Sequence, residues 1–347
     1  MYLRRILWVV VLIGVLAAGM FAYYVYNALL APNTRILEDV AYVYIPTDAS
    51  FEEVCNQLQP LLEDMDTFRA VAGRKKYPLN IRPGKYAVRK GMNNNDIINS
   101  LRTHNLPVNV SFNNQETLPD LVGRIAPQLE ADSLSLLHTL SDTSYLQPYG
   151  LDIHSAIALY IPNTYEFFWN TSAEGFRERM LKEYDRFWDE KRREKAASLG
   201  LSPLQVITLA SVVQKETAIA KERPRVAGLY LNRLEKNMLL QADPTVIYAI
   251  KQHTGNFDTI IKRVLYSDLE MDSPFNTYKY SGLPPGPITM PDISSIEAVL
   301  NPERHDYYYM VADVENFGYH KFAASLVQHN RNKAHYIRWI NEQRINR

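Results

Sequence analysis

Apolar positions along this chain fall into runs of different kinds. The first is continuous. Residues 6–30 are mostly apolar and uncharged, behind Arg4 and Arg5. That is about the 20 residues needed to span a bilayer. The run is longer than the apolar core of a signal peptide, and its small-residue patch at Ala17, Ala18 and Gly19 leads into more apolar sequence rather than a polar start. Tyr23, Tyr24 and Tyr26 suit an interfacial aromatic belt, and the arginines suit the cytoplasmic side. The pattern predicts a single-pass anchor with the remainder outside the cytoplasmic membrane, and a cleaved signal peptide is the alternative reading.

Beyond residue 35 the runs shorten. Residues 42–45 read as a strand, and Ser50 with Glu53 forms a capping box for a helix to about residue 62. A short helix is expected near 68–72, a turn and strand over 81–88, and a helix over 96–101. This strand–helix–helix–strand module predicts an α+β fold. Residues 108–112 alternate like a strand, and Thr117 to Asp120 start another helix, a weak echo of residues 42–62. Residues 131–160 read as mostly helical, and 160–167 as a proline turn that breaks the pattern. Phe176, Met180, Tyr184, Phe187 and Trp188 form the apolar stripe of a charged helix.

The most apolar stretch outside the anchor runs from Leu204 to Val213. Ser202, Pro203 and Gln205 supply an N-cap, a first-turn proline and a capping box. The run predicts a helix buried on most sides. Glu216 follows Val213 by three residues and Leu209 by seven, so its carboxyl lies over the same face. Burial disfavours its ionised form. So does its place in the last turn, at the negative end of the helix dipole. A carboxyl held protonated is what a general acid requires.

Composition narrows the class. Lys+Arg and Asp+Glu are balanced at 38 each, which argues against a nucleic-acid binder. Cys55 is the single cysteine and cannot form an internal disulfide. His320 and His329 lack metal-ligand spacing, and isolated histidines are usually packing or surface residues, so neither a metal nor a cofactor is expected. Asp243-Pro244 reads as a helix start with Asp as N-cap, a structural role as well supported as a chemical one.

Further motifs follow Glu216 in order: Glu222-Arg223, Asn232-Arg233-Leu234, the run from Gln241 through Asp243, Thr245 and Tyr248, then Asn276-Thr277-Tyr278, and the rigid segment from Gly282 to Ile288. Val311-Ala312-Asp313, His320-Lys321-Phe322 and His329-Asn330 come after them. Together they resemble the endolytic murein transglycosylase, or YceG-like, family over roughly residues 36–340. The resemblance implies a membrane-anchored enzyme that cuts within nascent peptidoglycan strands, acts beside peptidoglycan synthases, and has Glu216 as its catalytic residue. Many members carry an additional glutamate two places earlier, where this chain has Gln214. The implied organisation is a tail at 1–5, an anchor at 6–30, a LysM-like module at 36–110, a connecting part at 111–200 and a catalytic domain at 201–347.

A lytic transglycosylase needs only one acid, because the C6 hydroxyl of N-acetylmuramic acid attacks within its own sugar and leaves a 1,6-anhydro end. The expected course has Glu216 protonate the glycosidic oxygen and then, as carboxylate, help deprotonate that hydroxyl. Asn232, Gln241, Asp243, Thr245, Tyr248, Asn276 and Tyr278 are the candidate substrate-binding residues. Two other readings stand beside this one: a water-using muramidase with Asp243 as second carboxylate, and a non-catalytic glycan-binding scaffold for cell-wall synthases.

Overall fold

The alternation in β1 (Val40–Ile45) turns Val43 and Ile45 inward and leaves Tyr42 and Tyr44 exposed. The computed structural model, which describes residues 2–343, is a mixed α+β structure of two units. In the first unit β1 pairs antiparallel with β2 (Gly84–Arg89), from Val40 opposite Arg89 to Ile45 opposite Gly84. Between them lie α2 (Phe51–Leu58), started by the Ser50–Glu53 capping box, and α3 (Met65–Arg74), capped by Asp64. After β2 comes α4 (Asn94–Thr103). Val54, Leu58, Phe68, Tyr77, Ile97 and Leu101 bury themselves on the inner face of this sheet.

An N-terminal helix precedes these elements in the same unit. It runs from Tyr2 to Leu29, about 42 Å at 1.5 Å per residue, and is long and apolar enough to cross a membrane. Arg4 and Arg5 lie in its first turns. Its last turn is tied down, with the Asn94 side-chain amide donating to the Ala28 carbonyl at 2.9 Å. We call it α1.

The chain passes between units inside β3 (Pro107–Phe112) and β4 (Asn163–Phe168), which form a second two-stranded sheet. The first unit also takes in Pro127–Ala131 and Tyr165–Ser172. The strand β4 corrects the expectation of a mere break over 160–167. Tyr165 and Phe167 alternate inward, and Pro162 lies just before the strand, where a missing N–H does no harm.

The second unit is mostly helical. It contains α5 (Leu118–Ile125), α6 (Ser133–Leu140), α7 (Thr143–Leu146), α8 (Ala173–Phe187) and α9 (Glu190–Ser198). They are followed by α10 (Pro203–Glu216), α11 (Arg223–Glu235), α12 (Asp243–Thr254) and α13 (Ile293–Leu300). A hairpin of β5 (Tyr309–Ala312) and β6 (His320–Ala323) and the packed helix α14 (Leu326–Glu342) complete it. The centre is α10. Every residue from Val206 to Val213 is buried, and α9, α11, α12 and α13 pack around it. Its Ser202–Gln205 capping box forms as expected, an interaction worth about 1 kcal/mol.

Candidate active site

Helix α10 ends at Glu216, and its last turn opens into a cleft of about 250 Å³. Tyr230 and Arg233 reach the cleft from α11, Gln241 and Asp243 from the start of α12, Tyr278 from the loop that follows, and Met310 and His320 from the hairpin. The glutamate is half-buried and closely surrounded. Its Oε1 accepts the Tyr230 hydroxyl at 2.7 Å, and Oε2 has no hydrogen-bond partner among the described residues. Burial raises its pKa to about 7. Tyr230 opposes that rise, as do Arg233 and the protonated form of His320, while Asp243 adds to it.

Asp243 does not cap its own helix, which corrects that part of the sequence reading. It is the first residue of α12, Ala242 holds the cap position, and the Asp243 Oδ1 accepts the Tyr278 hydroxyl at 2.6 Å. Burial, joined by this hydrogen bond, pushes the Tyr278 hydroxyl well above the ordinary phenol range, so it remains a donor. Gln241 is exposed in the cleft with φ +50°, a left-handed conformation uncommon outside glycine, and its N–H donates to the Thr277 carbonyl at 3.1 Å.

The other expected site residues support the walls. Thr245 is buried and its hydroxyl meets that of Thr277 at 2.8 Å. Asn276 is fully buried, donates to the carbonyls of Leu269 and Met271, and accepts from the Tyr278 N–H. Asn232 donates to the carbonyls of His305 and Tyr307, fastening residues 303–307 along α11. The same segment crosses Gly228 so closely that a Cβ there would lie 2.4 Å from the Glu303 carbonyl oxygen. Tyr248 packs on Phe275 and Phe257. It lines two larger hollows of about 510 and 610 Å³, from which Glu216 is absent. Their shared Glu116 is already paired with Lys215 and Lys251.

Four residues outside the expected set shape the cleft. The Tyr230 hydroxyl contacts the acid directly. Arg233, 8% exposed, gives its Nε to the Tyr308 carbonyl at 2.6 Å and its Nη1 to Leu240 at 2.5 Å. It thereby joins α11, the approach to α12 and the hairpin. Glu222 is buried and receives two hydrogen bonds from His320, the backbone N–H at 2.7 Å and Nδ1 at 2.9 Å. The sequence carried one usable signal for Tyr230: it falls on the buried stripe of α11, and a buried phenol needs a partner.

A family model described as YceG-like matches residues 43–335. The chain belongs to the YceG-like family. Among relatives, this YceG-like chain is 28% identical over 336 residues to a Bacillus subtilis (strain 168) protein named endolytic murein transglycosylase, across 91% of this chain and 90% of that one. A Streptococcus pneumoniae protein of the same name, from serotype 2 strain D39, is 27% identical over 353 residues, covering 92% of this chain and 63% of the longer relative. The 2.6 Å crystal structure of a YceG-like protein from Listeria monocytogenes superposes with a TM-score of 0.55 at 29% identity, over 84% of this chain and 98% of that one.

Proposed function

We propose that this chain is an endolytic lytic transglycosylase that cleaves the MurNAc–GlcNAc bond within peptidoglycan strands and leaves 1,6-anhydromuramic ends. The observation that carries the reading is the state of Glu216. A single carboxyl, held near pKa 7 by burial, has one oxygen steadied by Tyr230 and the other left to carry a proton. In this reading Glu216 protonates the leaving glycosidic oxygen, and the C6 hydroxyl of the same muramic sugar closes on C1. Proximity replaces an activated water. The Tyr278 hydroxyl occupies only Oδ1 of Asp243, the second carboxyl of the cleft, so the products formed decide between the one-acid course and a hydrolytic pair.

The reading extends beyond the cleft. Helix α1 serves as a single-pass anchor in the cytoplasmic membrane, with the rest of the chain on the outer side. The strand–helix–helix–strand order of the first unit supports a LysM-like glycan-holding module. Cutting strands as they are made puts the enzyme beside peptidoglycan synthases.

The test is mass spectrometry of glycan fragments released by the detergent-solubilised chain, with Glu216→Gln in parallel. Anhydro ends with wild type and none with the variant support the assignment. Reducing ends point instead to hydrolysis with Asp243 as second acid, and intact strands that the protein still binds point to a scaffold.

A further inference from the structure

Closing the anhydro ring releases the C6 hydroxyl proton, and the cleft must supply an acceptor for it. Most cleft-lining polar groups are engaged. Arg233 is spent on backbone carbonyls. The Tyr230 and Tyr278 hydroxyls are donors to carboxyls. Asp243 accepts the Tyr278 hydroxyl on Oδ1, and its Oδ2, without a hydrogen-bond partner among the described residues, is a competing acceptor that no second group orients.

His320 differs. It is the first residue of β6 and lines the cleft together with Glu216. The Glu222 side chain is 2% exposed. Burial favours its neutral form, but the two hydrogen bonds from His320, joined by the Thr217 hydroxyl, prevail and hold its pKa below the ordinary value. An ionised carboxylate only accepts, so Nδ1 is the donor of this pair. In the neutral imidazole that leaves Nε2 with its lone pair. Nε2 has no hydrogen-bond partner among the described residues. A buried carboxylate that grips both the backbone and the ring of one histidine fixes the ring's orientation.

We propose that His320, held by the positioning residue Glu222, accepts the C6 hydroxyl proton while Glu216 donates its own to the leaving oxygen. This rests on the lytic reading above and replaces the second duty that the sequence alone gives to Glu216. The step balances. The C1–O bond to the departing sugar breaks with its electron pair on oxygen, which takes the Glu216 proton. The C6 oxygen bonds C1 and passes its proton to Nε2. The resulting carboxylate and imidazolium attract each other across the cleft, and solvent exchange returns both to their starting states.

The experiment is the pH profile of anhydro-end formation by the full chain in detergent. His320 is faced by Glu222 beside α11, Glu216 at the end of α10, Asp243 on α12, Tyr230 and Arg233 on α11, and Tyr278. With His320 neutral and Glu216 protonated in the active form, the rate follows a bell. His320→Gln lowers kcat by about a hundredfold or more, leaves KM, and abolishes the acid limb. Glu222→Gln keeps the histidine but removes the charge that favours imidazolium, so the acid limb moves to lower pH. His320→Gly regains activity when imidazole is added to the assay, a response that a purely structural role does not give. A folded His320→Gln enzyme with wild-type kcat and an unchanged bell overturns the proposal, as does a folded His320→Gly enzyme that imidazole does not rescue. Absence of anhydro ends from wild type overturns the lytic reading itself, a separate result.

Discussion

The Tyr230 hydroxyl donates to Glu216 Oε1 at 2.7 Å, joining the middle of α11 to the last residue of α10. The bond favours the ionised carboxyl and so restrains the rise that burial causes. Tyr230→Phe keeps the ring in its buried slot and removes only the hydroxyl. The Glu216 pKa then rises above about 7. A step that needs protonated Glu216 loses rate as pH climbs through that value, so the variant's basic limb shifts to higher pH. A pH–rate profile of the variant checks this. An unmoved limb would mean that another group sets it.

Glu216 also couples stability to pH. Its pKa is about 7 folded against an ordinary 4.5, so the folded state holds the extra proton between those values. With more protons on the native state, stability falls as pH rises through this window. The full stabilising difference is present below pH 4.5 and is gone above pH 7. Glutamine carries no charge at either end. Glu216→Gln is therefore expected to be more stable than wild type at pH 8, by about 2–3 kcal/mol, and to match it at pH 5. Thermal melts at the two pH values read this directly. Equal stabilities at pH 8 would show that the ionised carboxylate is fully compensated.

Local pattern carried the central helix well. Ser202, Pro203 and Gln205 mark its start, and the unbroken apolar run to Val213 marks it as buried. Asp243-Pro244 was less legible. The pair specifies a helix start, but whether the carboxyl turns back onto its own backbone or outward depends on Tyr278, 35 residues away. The grip of Glu222 on His320 spans 98 residues and leaves no trace in either local sequence. Strand β4 was hidden behind Pro162 and a polar stretch, although the inward alternation of Tyr165 and Phe167 was there to be counted.

Asn276 separates scaffold from site. Its side chain holds two backbone carbonyls and the Tyr278 N–H in a fully buried position. Asn276→Ala leaves those groups without partners, at about 1–3 kcal/mol for each one that water cannot reach. The variant is expected to melt several degrees lower, and its residual activity at low temperature to keep a wild-type KM. A higher KM with an unchanged melting temperature would instead place Asn276 against the substrate.

Gln241 offers the converse case. Its left-handed backbone, φ +50°, carries a Cβ where glycine would sit without strain, and its side chain stands exposed in the cleft. A non-glycine residue held in this region costs on the order of 1 kcal/mol or more. Gln241→Gly is expected to fold at least as stably as wild type, because relief of that strain offsets the added freedom of the unfolded chain. If the amide binds sugar hydroxyls or acetamido groups, the same variant binds glycan more weakly. Melting curves and glycan-binding isotherms on one preparation separate the two effects. A more stable protein with unchanged affinity would assign Gln241 to the turn, whereas equal or greater stability with weaker binding assigns it to the substrate.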